Sequence, residues 1–166
     1  PNWKTIIECI DAARFAPMAG DLFTPNFILV DDKETINKIA QHSSQDFIAQ
    51  AKYLVVFISN KSKTENAYKE RAEKYIKQQA GAAIQNFLLK LEEEGLSTCW
   101  IGLFDDEKVK QVLKVPENHD IEAIFPLGYA KEKPKKRSPD FRNLNTYLFF
   151  NKFKNRRMRE EYEVSV

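Results

Sequence analysis

The run Tyr53–Ser59 (YLVVFIS) is the sequence feature that most limits the fold of this chain. Five of its seven side chains are β-branched or aromatic, which is typical of a strand that is buried on both faces. Such a strand needs a covering layer on each side of its sheet. With 166 residues, of which 43% are hydrophobic and 30% charged, the chain is long enough to supply both layers within one domain.

Helical and extended segments surround this run in an order typical of an α/β or α+β domain with one sheet. Apolar periodicity predicts helices over Trp3–Phe15, Glu34–Gln41, Thr64–Glu94 and Asp105–Leu113, with a helical turn at Gln45–Ala51. Apolar runs predict further strands over Asn26–Val30, Ser97–Ile101 and Ile121–Leu127. No repeat or linker divides the chain, so we predict a single domain with a core of residues 3–138 and a tail of residues 139–166.

The charge distribution argues against a nucleic-acid or membrane partner. The formal net charge is only +2, and acidic Glu160, Glu161 and Glu163 directly follow the basic segment Lys152–Arg159. No apolar run approaches the roughly 18 residues that a membrane span needs, and no signal peptide is visible. We therefore predict a cytoplasmic protein that binds neither nucleic acid nor a membrane.

The residue types that usually carry metal or nucleophilic chemistry are scattered. Cys9 and Cys99 match no metal spacing, and we predict two buried free thiols. His42 and His119 are isolated, so no metal site is expected. There is no Ser-His-Asp, HExxH or Walker pattern, and the five glycines never form GxGxxG, which excludes the usual dinucleotide and P-loop signatures.

The pairs Asp31-Asp32 and Asp105-Asp106 stand before helices, where an aspartate is expected to act as an N-cap. Gly95 follows the long helix, at the position of a C-terminal cap. These residues are therefore interpreted as structural.

Three other segments combine features that a ligand site needs. The loop Ala16–Leu22 leaves a helix and precedes a strand. Trp100–Phe104 places a glycine just after a strand, and Leu127–Ala130 is followed a few residues later by the basic cluster Lys135–Arg137.

In order and spacing, these segments resemble the nitroreductase family. Ala13–Asp21 resembles the family's A-R-x-A-P-S-A-G-N/D-x-Q loop, and Gly95–Gly102 resembles its G-L-G-S-C-W-I-G strand. Leu113–Pro116 and Pro126–Ala130 resemble its L-x-V/L-P and P-L-G-Y-P segments, and Ser44–Ala51 looks like its G-Q-x-x-I/V-x-x-A turn. The resemblance covers about residues 3–138.

The resemblance implies an α+β fold of three layers, with a central, mostly antiparallel sheet flanked by helices. It also implies a homodimer with FMN at the subunit interface and a C-terminal tail that extends over the partner subunit. The aromatic residues Phe141, Tyr147, Phe149, Phe150 and Phe153 of that tail also need covering, which favours a subunit boundary.

The activity that the resemblance implies is electron transfer from NAD(P)H, as co-substrate, to a nitroaromatic or quinone by a ping-pong mechanism. No catalytic side chain is expected, because the flavin carries the chemistry. The alternative is a flavin-binding or regulatory protein of the same fold with little turnover.

The same resemblance implies roles for individual residues. The backbone of Ile101 and Gly102 would donate to flavin N5, and the missing Cβ of Gly102 would permit close approach; a strand-ending turn is the alternative role of this glycine. Gln45 would donate to the pyrimidine edge. Lys135 and Arg137 would pair with the FMN phosphate, unless they belong to a solvated basic loop.

The loop after the first helix would serve the neighbouring site: Pro17, Met18, Ala19 and Asp21 would pack over the flavin of the partner subunit. Met18 stands where the family has a serine, and Phe23 where it usually has a glutamine. These differences imply a more apolar pocket.

The family's R-R-S-x-R arm, which holds the phosphate, is not seen before Pro1. Either the chain has been trimmed or this subunit binds FMN more weakly, and we favour trimming.

Overall fold

The computed structural model describes residues 1–132 and 144–157, and the chain forms two compact units, Pro1–Lys131 and Glu132–Val166. The helices of the first unit are α1 (Trp3–Ala13), α2 (Lys33–His42), α3 (Ser62–Tyr68), α4 (Ala72–Glu93) and α5 (Asp106–Leu113). Its strands are β1 (Pro25–Val30), β2 (Tyr53–Asn60), β3 (Ser97–Thr98) and β4 (His119–Gly128). Short 3-10 turns cover Ala19–Asp21, Asp46–Gln50 and Lys69–Arg71.

The four strands form one antiparallel sheet in the order β1-β2-β4-β3. β2 lies in its interior, where Val55 pairs with Leu29 of β1 and with Phe125 of β4. Every residue of Tyr53–Ser59 is buried. The predicted strand buried on both faces is confirmed, and so is the mostly antiparallel sheet.

Helices cover both faces of this sheet and give three layers. α1 and α4 pack on one face, in a core where the rings of Phe57, Phe87 and Phe125 lie 5.1 to 5.5 Å apart. α2, α5 and the turn Asp46–Gln50 supply the core of the other face, which is rich in isoleucine. The predicted arrangement of flanking helices is confirmed.

The helix ends follow the local signals in the sequence. The Asp32 carboxylate accepts a hydrogen bond from the Thr35 N–H at 2.8 Å, and Asp105 accepts one from the Lys108 N–H at 3.2 Å. Gly95 has a φ of 68°, and the Leu96 N–H donates to the Leu91 carbonyl at 2.9 Å. This pattern is a Schellman cap, in which a left-handed glycine ends the helix.

Two predicted elements are wrong in extent. The helix predicted over Thr64–Glu94 is interrupted, because Lys69 adopts a left-handed φ of 46° between α3 and α4. The strand predicted over Ser97–Ile101 ends at Thr98, and Ile101 pairs with β4 only through an isolated bridge to Ile124.

The prediction that both thiols are buried is wrong for the cysteine that follows this short strand. Cys9 is fully buried, as predicted, but Cys99 is exposed. Trp100 beside it packs edge-on against Phe125 with ring centroids 5.5 Å apart, and it stays about half exposed. The backbone between Thr98 and Ile101 leaves the strand geometry that would have buried alternate side chains.

The second unit contains a short helix, α6 (Leu144–Tyr147). After it, the Phe150 N–H donates to the Asn155 carbonyl at 2.8 Å, and the Arg156 guanidinium lies 5.1 Å from the ring of Phe149. Phe153 remains largely exposed. No helix within residues 1–132 and 144–157 is long and apolar enough to cross a membrane.

Candidate active site

A cavity of about 390 Å³ lies where β3 and β4 end beside the turn Asp46–Gln50. It is lined by Phe47, Gln50, Ala51, Ser97, Thr98, Cys99, Pro126, Leu127, Gly128 and Tyr129. None of these lining side chains is charged. The Thr98 hydroxyl donates to the Pro126 carbonyl at 2.8 Å and so joins the two strand ends. Such an environment suits a flat, uncharged ring system better than an ion.

The backbone N–H and carbonyl of Ile101 are both hydrogen-bonded within the sheet. Its N–H donates to the Ile124 carbonyl at 3.0 Å, and its carbonyl accepts from the Ile124 N–H at 3.0 Å. Its side chain is buried in the core of the α2 and α5 face. Ile101 can therefore anchor the turn that follows, whereas its own amide is not available to a ligand.

Gly102, the next residue, has an exposed backbone. Within the described part of the chain, the Gly102 N–H has no hydrogen-bond acceptor. A Cβ at this position would meet only the indole nitrogen of Trp100, at 3.9 Å, so there is open space beside the backbone. Gly102 thus ends the bridged segment and also offers a free donor to a ligand.

Gln45 lies at the same edge of the fold. Its carbonyl accepts from the Ile48 N–H at 3.1 Å at the start of the turn that supplies Phe47 and Gln50 to the cavity. The Asp105 N–H donates to the His42 carbonyl at 2.9 Å, which ties the segment after Gly102 to the end of α2. The structure therefore brings the neighbourhoods of Gln45 and of the Ile101–Gly102 turn together.

The loop that contains Pro17, Met18, Ala19 and Asp21 lies elsewhere. Its first three residues line a separate cavity of about 370 Å³ against α4, with Tyr75 and Gln79 among the helix residues. Met18 packs partly on the core between α1, α4 and the sheet, and Asp21 is exposed. Within one chain, the structure thus assigns this loop and the strand-end cavity to different places.

Gln79 was missed by the sequence reasoning. Its Oε1 accepts from the Ala19 N–H at 2.7 Å, and its Nε2 donates to the Thr24 hydroxyl at 2.9 Å. A signal was present, because this polar residue stands on the apolar stripe of the long helix, three residues after Ile76 and four before Ala83.

Lys135 and Arg137 lie outside the described residues, so their predicted contact with a phosphate stays a prediction. Among residues 1–132 and 144–157, no group of three or more His, Cys, Asp or Glu side chains could hold a metal ion.

The family follows from comparison with known proteins. The nitroreductase family model matches residues 40–129, which is more than half of the chain. The protein belongs to the nitroreductase family, and the resemblance drawn from its sequence motifs is confirmed.

Individual relatives match over most of their length. A putative NADH dehydrogenase/NAD(P)H nitroreductase of Archaeoglobus fulgidus is 26% identical over 135 residues, covering 78% of this chain and 75% of the relative. The FMN-dependent nitroreductase from Clostridium difficile R20291 is 27% identical with a TM-score of 0.76, covering 92% of this chain and 90% of that one. The NADPH:FMN oxidoreductase from Vibrio harveyi, solved with NAD+, shares the fold at 21% identity, with a TM-score of 0.77 and coverage of 93% and 70%.

Proposed function

We propose that the protein is an FMN-dependent NAD(P)H oxidoreductase. One observation carries this proposal. The free N–H of Gly102 lies three residues after Cys99, which lines the uncharged cavity at the strand ends. The similarity to an FMN-dependent nitroreductase over nearly the whole of both chains supports the same cofactor.

The residues present at this edge fit FMN. An added Cβ would meet nothing within 4 Å at Gly128 and only one atom at Gly102, so a flat ring can approach the backbone at both positions. In the proposal, the Gly102 N–H donates to flavin N5, Ile101 holds that amide in place, and Gln45 donates to the pyrimidine edge. Lys135 and Arg137 remain the proposed partners of the phosphate.

Bound FMN would supply the two-electron chemistry between a nicotinamide and an acceptor. The chain itself then needs to bind, orient and exclude water. A cavity lined by no Asp, Glu, Lys, Arg or His is consistent with chemistry that is carried by the flavin and not by a side chain.

We further propose a homodimer. A groove of about 1030 Å³ runs between α1 and α4, and the exposed side chains of Ile7, Phe15 and Leu89 line it. These exposed apolar side chains favour a covering partner, and they share the groove with the charged residues Glu8, Asp11, Lys90 and Glu93. The loop that contains Pro17 begins directly after Phe15, so a second copy on this face would bring the loop close to the partner's site.

The proposed acceptor is a nitroaromatic or a quinone, reduced in a ping-pong cycle in which the nicotinamide leaves before the acceptor enters. A neutral, largely apolar cavity favours planar uncharged acceptors over charged ones. A cytoplasmic location is part of the proposal, since Cys9 and Cys99 are both free thiols.

The test uses the purified full chain with added FMN. We expect a bound flavin spectrum, oxidation of NADH or NADPH with the quinone menadione, and parallel double-reciprocal lines when both substrates are varied. A protein that gains no bound flavin would refute the proposal. A flavin-loaded protein without turnover would instead support the flavin-binding alternative, and intersecting lines would rule out the ping-pong cycle.

A further inference from the structure

Gln79 is a polar side chain in an apolar environment. It lies on the face of α4 that packs on the sheet, and it is only 3% exposed. A buried amide is costly unless its hydrogen bonds are made. Both ends of this amide are satisfied, by the Ala19 N–H at 2.7 Å and by the Thr24 hydroxyl at 2.9 Å.

The two partners of Gln79 flank a turn with a left-handed backbone. Gly20 and Asp21, which lie between Ala19 and Thr24, both have a left-handed φ of 57°. The turn has two hydrogen bonds of its own, of 3.3 Å from the Asp21 N–H to the Met18 carbonyl and of 3.1 Å from the Leu22 N–H to the Ala19 carbonyl. Gly20 adopts this conformation without steric cost, whereas Asp21 carries a Cβ, so contacts from outside the turn help to stabilise it.

Tyr68 of α3 packs closely against the same turn. The Tyr68 hydroxyl lies so close to Gly20 that a Cβ there would be 2.3 Å from it. Tyr68 itself packs edge-on against Tyr75 of α4, with ring centroids 5.0 Å apart. Ala19 is therefore hydrogen-bonded by Gln79, and the neighbouring Gly20 is in close contact with Tyr68.

We propose that Gln79 is a positioning residue, which holds the loop Met18–Asp21 in the shape that completes the flavin site of the partner subunit. This inference rests on the proposed function, in which that loop covers the partner's flavin. A neutral amide suits the task, because it accepts from Ala19 and donates to Thr24 at the same time without bringing a charge into the core.

A purely structural role would give a different result. If Gln79 only filled the core, its replacement by an apolar residue of similar size would change stability and leave flavin binding by the folded protein unchanged. If it positions the loop, the folded variant would bind flavin less tightly and in an altered environment.

The experiment compares Gln79→Leu with Gln85→Leu, an exposed glutamine on the same helix. For Gln79→Leu we expect roughly ten-fold weaker FMN binding, a lower kcat, a changed visible circular dichroism of bound FMN, and faster hydrogen exchange of the Ala19 amide in the flavin-free protein. Gln85→Leu is expected to match the wild type in all four.

Thr24→Val provides a second route if Gln79→Leu does not fold, because it removes one of the two contacts of Gln79. We expect a smaller loss of FMN affinity in the same direction. A folded Gln79→Leu or Thr24→Val protein with wild-type FMN affinity and dichroism would overturn the positioning role. Failure of the wild-type chain to bind FMN would overturn the proposed function instead.

Discussion

Cys9 and Cys99 lie in different surroundings. Cys9 is fully buried between α1 and the sheet. Burial, together with the negative charge of nearby Glu94, raises the pKa of the Cys9 thiol to about 11. Cys99 lines the strand-end cavity and is exposed.

We predict that only Cys99 reacts with a thiol reagent such as iodoacetamide in the native protein at about pH 8. A pKa near 11 leaves only about 0.1% of the Cys9 thiol ionised at that pH, and burial blocks access to it. Mass spectrometry should show one modified thiol in the native protein and two after denaturation. Cys99→Ser is the control and should abolish native labelling; rapid native labelling of Cys9 would contradict the burial described.

At the scale of elements, Asp120 joins three helices to the start of β4. Its carboxylate lies 3.0 Å from the Lys61 ammonium before α3, 3.5 Å from Lys77 of α4 and 3.9 Å from Lys110 of α5. Partial burial acts to raise the pKa of Asp120. The hydrogen bond from Lys61 and the three positive charges outweigh that effect and hold the pKa below its ordinary value.

We predict that Asp120→Asn lowers the free energy of unfolding by about 0.5 to 1 kcal/mol at neutral pH, the range of a partly exposed ion pair. Because the pKa of Asp120 is lower in the folded state, its stabilising effect is present above the ordinary aspartate pKa and is lost as pH falls through the folded value. Urea unfolding at pH 7 and at about pH 3 measures the difference. Glu92→Gln, an exposed control on α4, should change little; an equal loss for Asp120→Asn at both pH values would contradict the ion-pair account.

The element scale also shows which features the sequence could predict. The caps at Asp32, Asp105 and Gly95 depend on residues three to five positions away, so local patterns were sufficient. The break between α3 and α4 contains no glycine or proline, so the sequence holds no local signal for it. Tyr68, beside the break, contacts Gly20, a residue 48 positions earlier, and no local pattern encodes that contact.

At the scale of the whole molecule, the sequence predicted the family and the layered sheet. The order of the motifs, helices and strands along the chain was sufficient for both. The sequence did not show that the predicted site residues lie at two separate places in one chain. Gln45, Ile101 and Gly102 lie at the strand-end edge, whereas Pro17, Met18 and Ala19 line a cavity against α4. Only the packing of α1, α4 and the sheet decides which segments can meet within one chain. A site assembled from two subunits reconciles these positions with the roles that the family implies.

The proposed two-subunit site makes a prediction about mixed dimers. Gly102→Val fills the open space beside the donor amide, and Gly20→Ala places a Cβ at a left-handed position against Tyr68, so each variant alone should lose most of its NAD(P)H oxidation activity. In a mixed dimer, one site combines the intact Gly102 of one subunit with the intact loop of the other. The second site carries both defects.

Co-expression of the two variants should therefore restore activity, to about one quarter of the wild-type value if subunits pair at random in a twofold dimer. Each variant is first shown to be folded by circular dichroism and dimeric by size-exclusion chromatography. If the loop instead serves the site of its own chain, every subunit in the mixture carries one defect in its own site. Activity then stays at the level of the separate variants, and the two-subunit site is excluded.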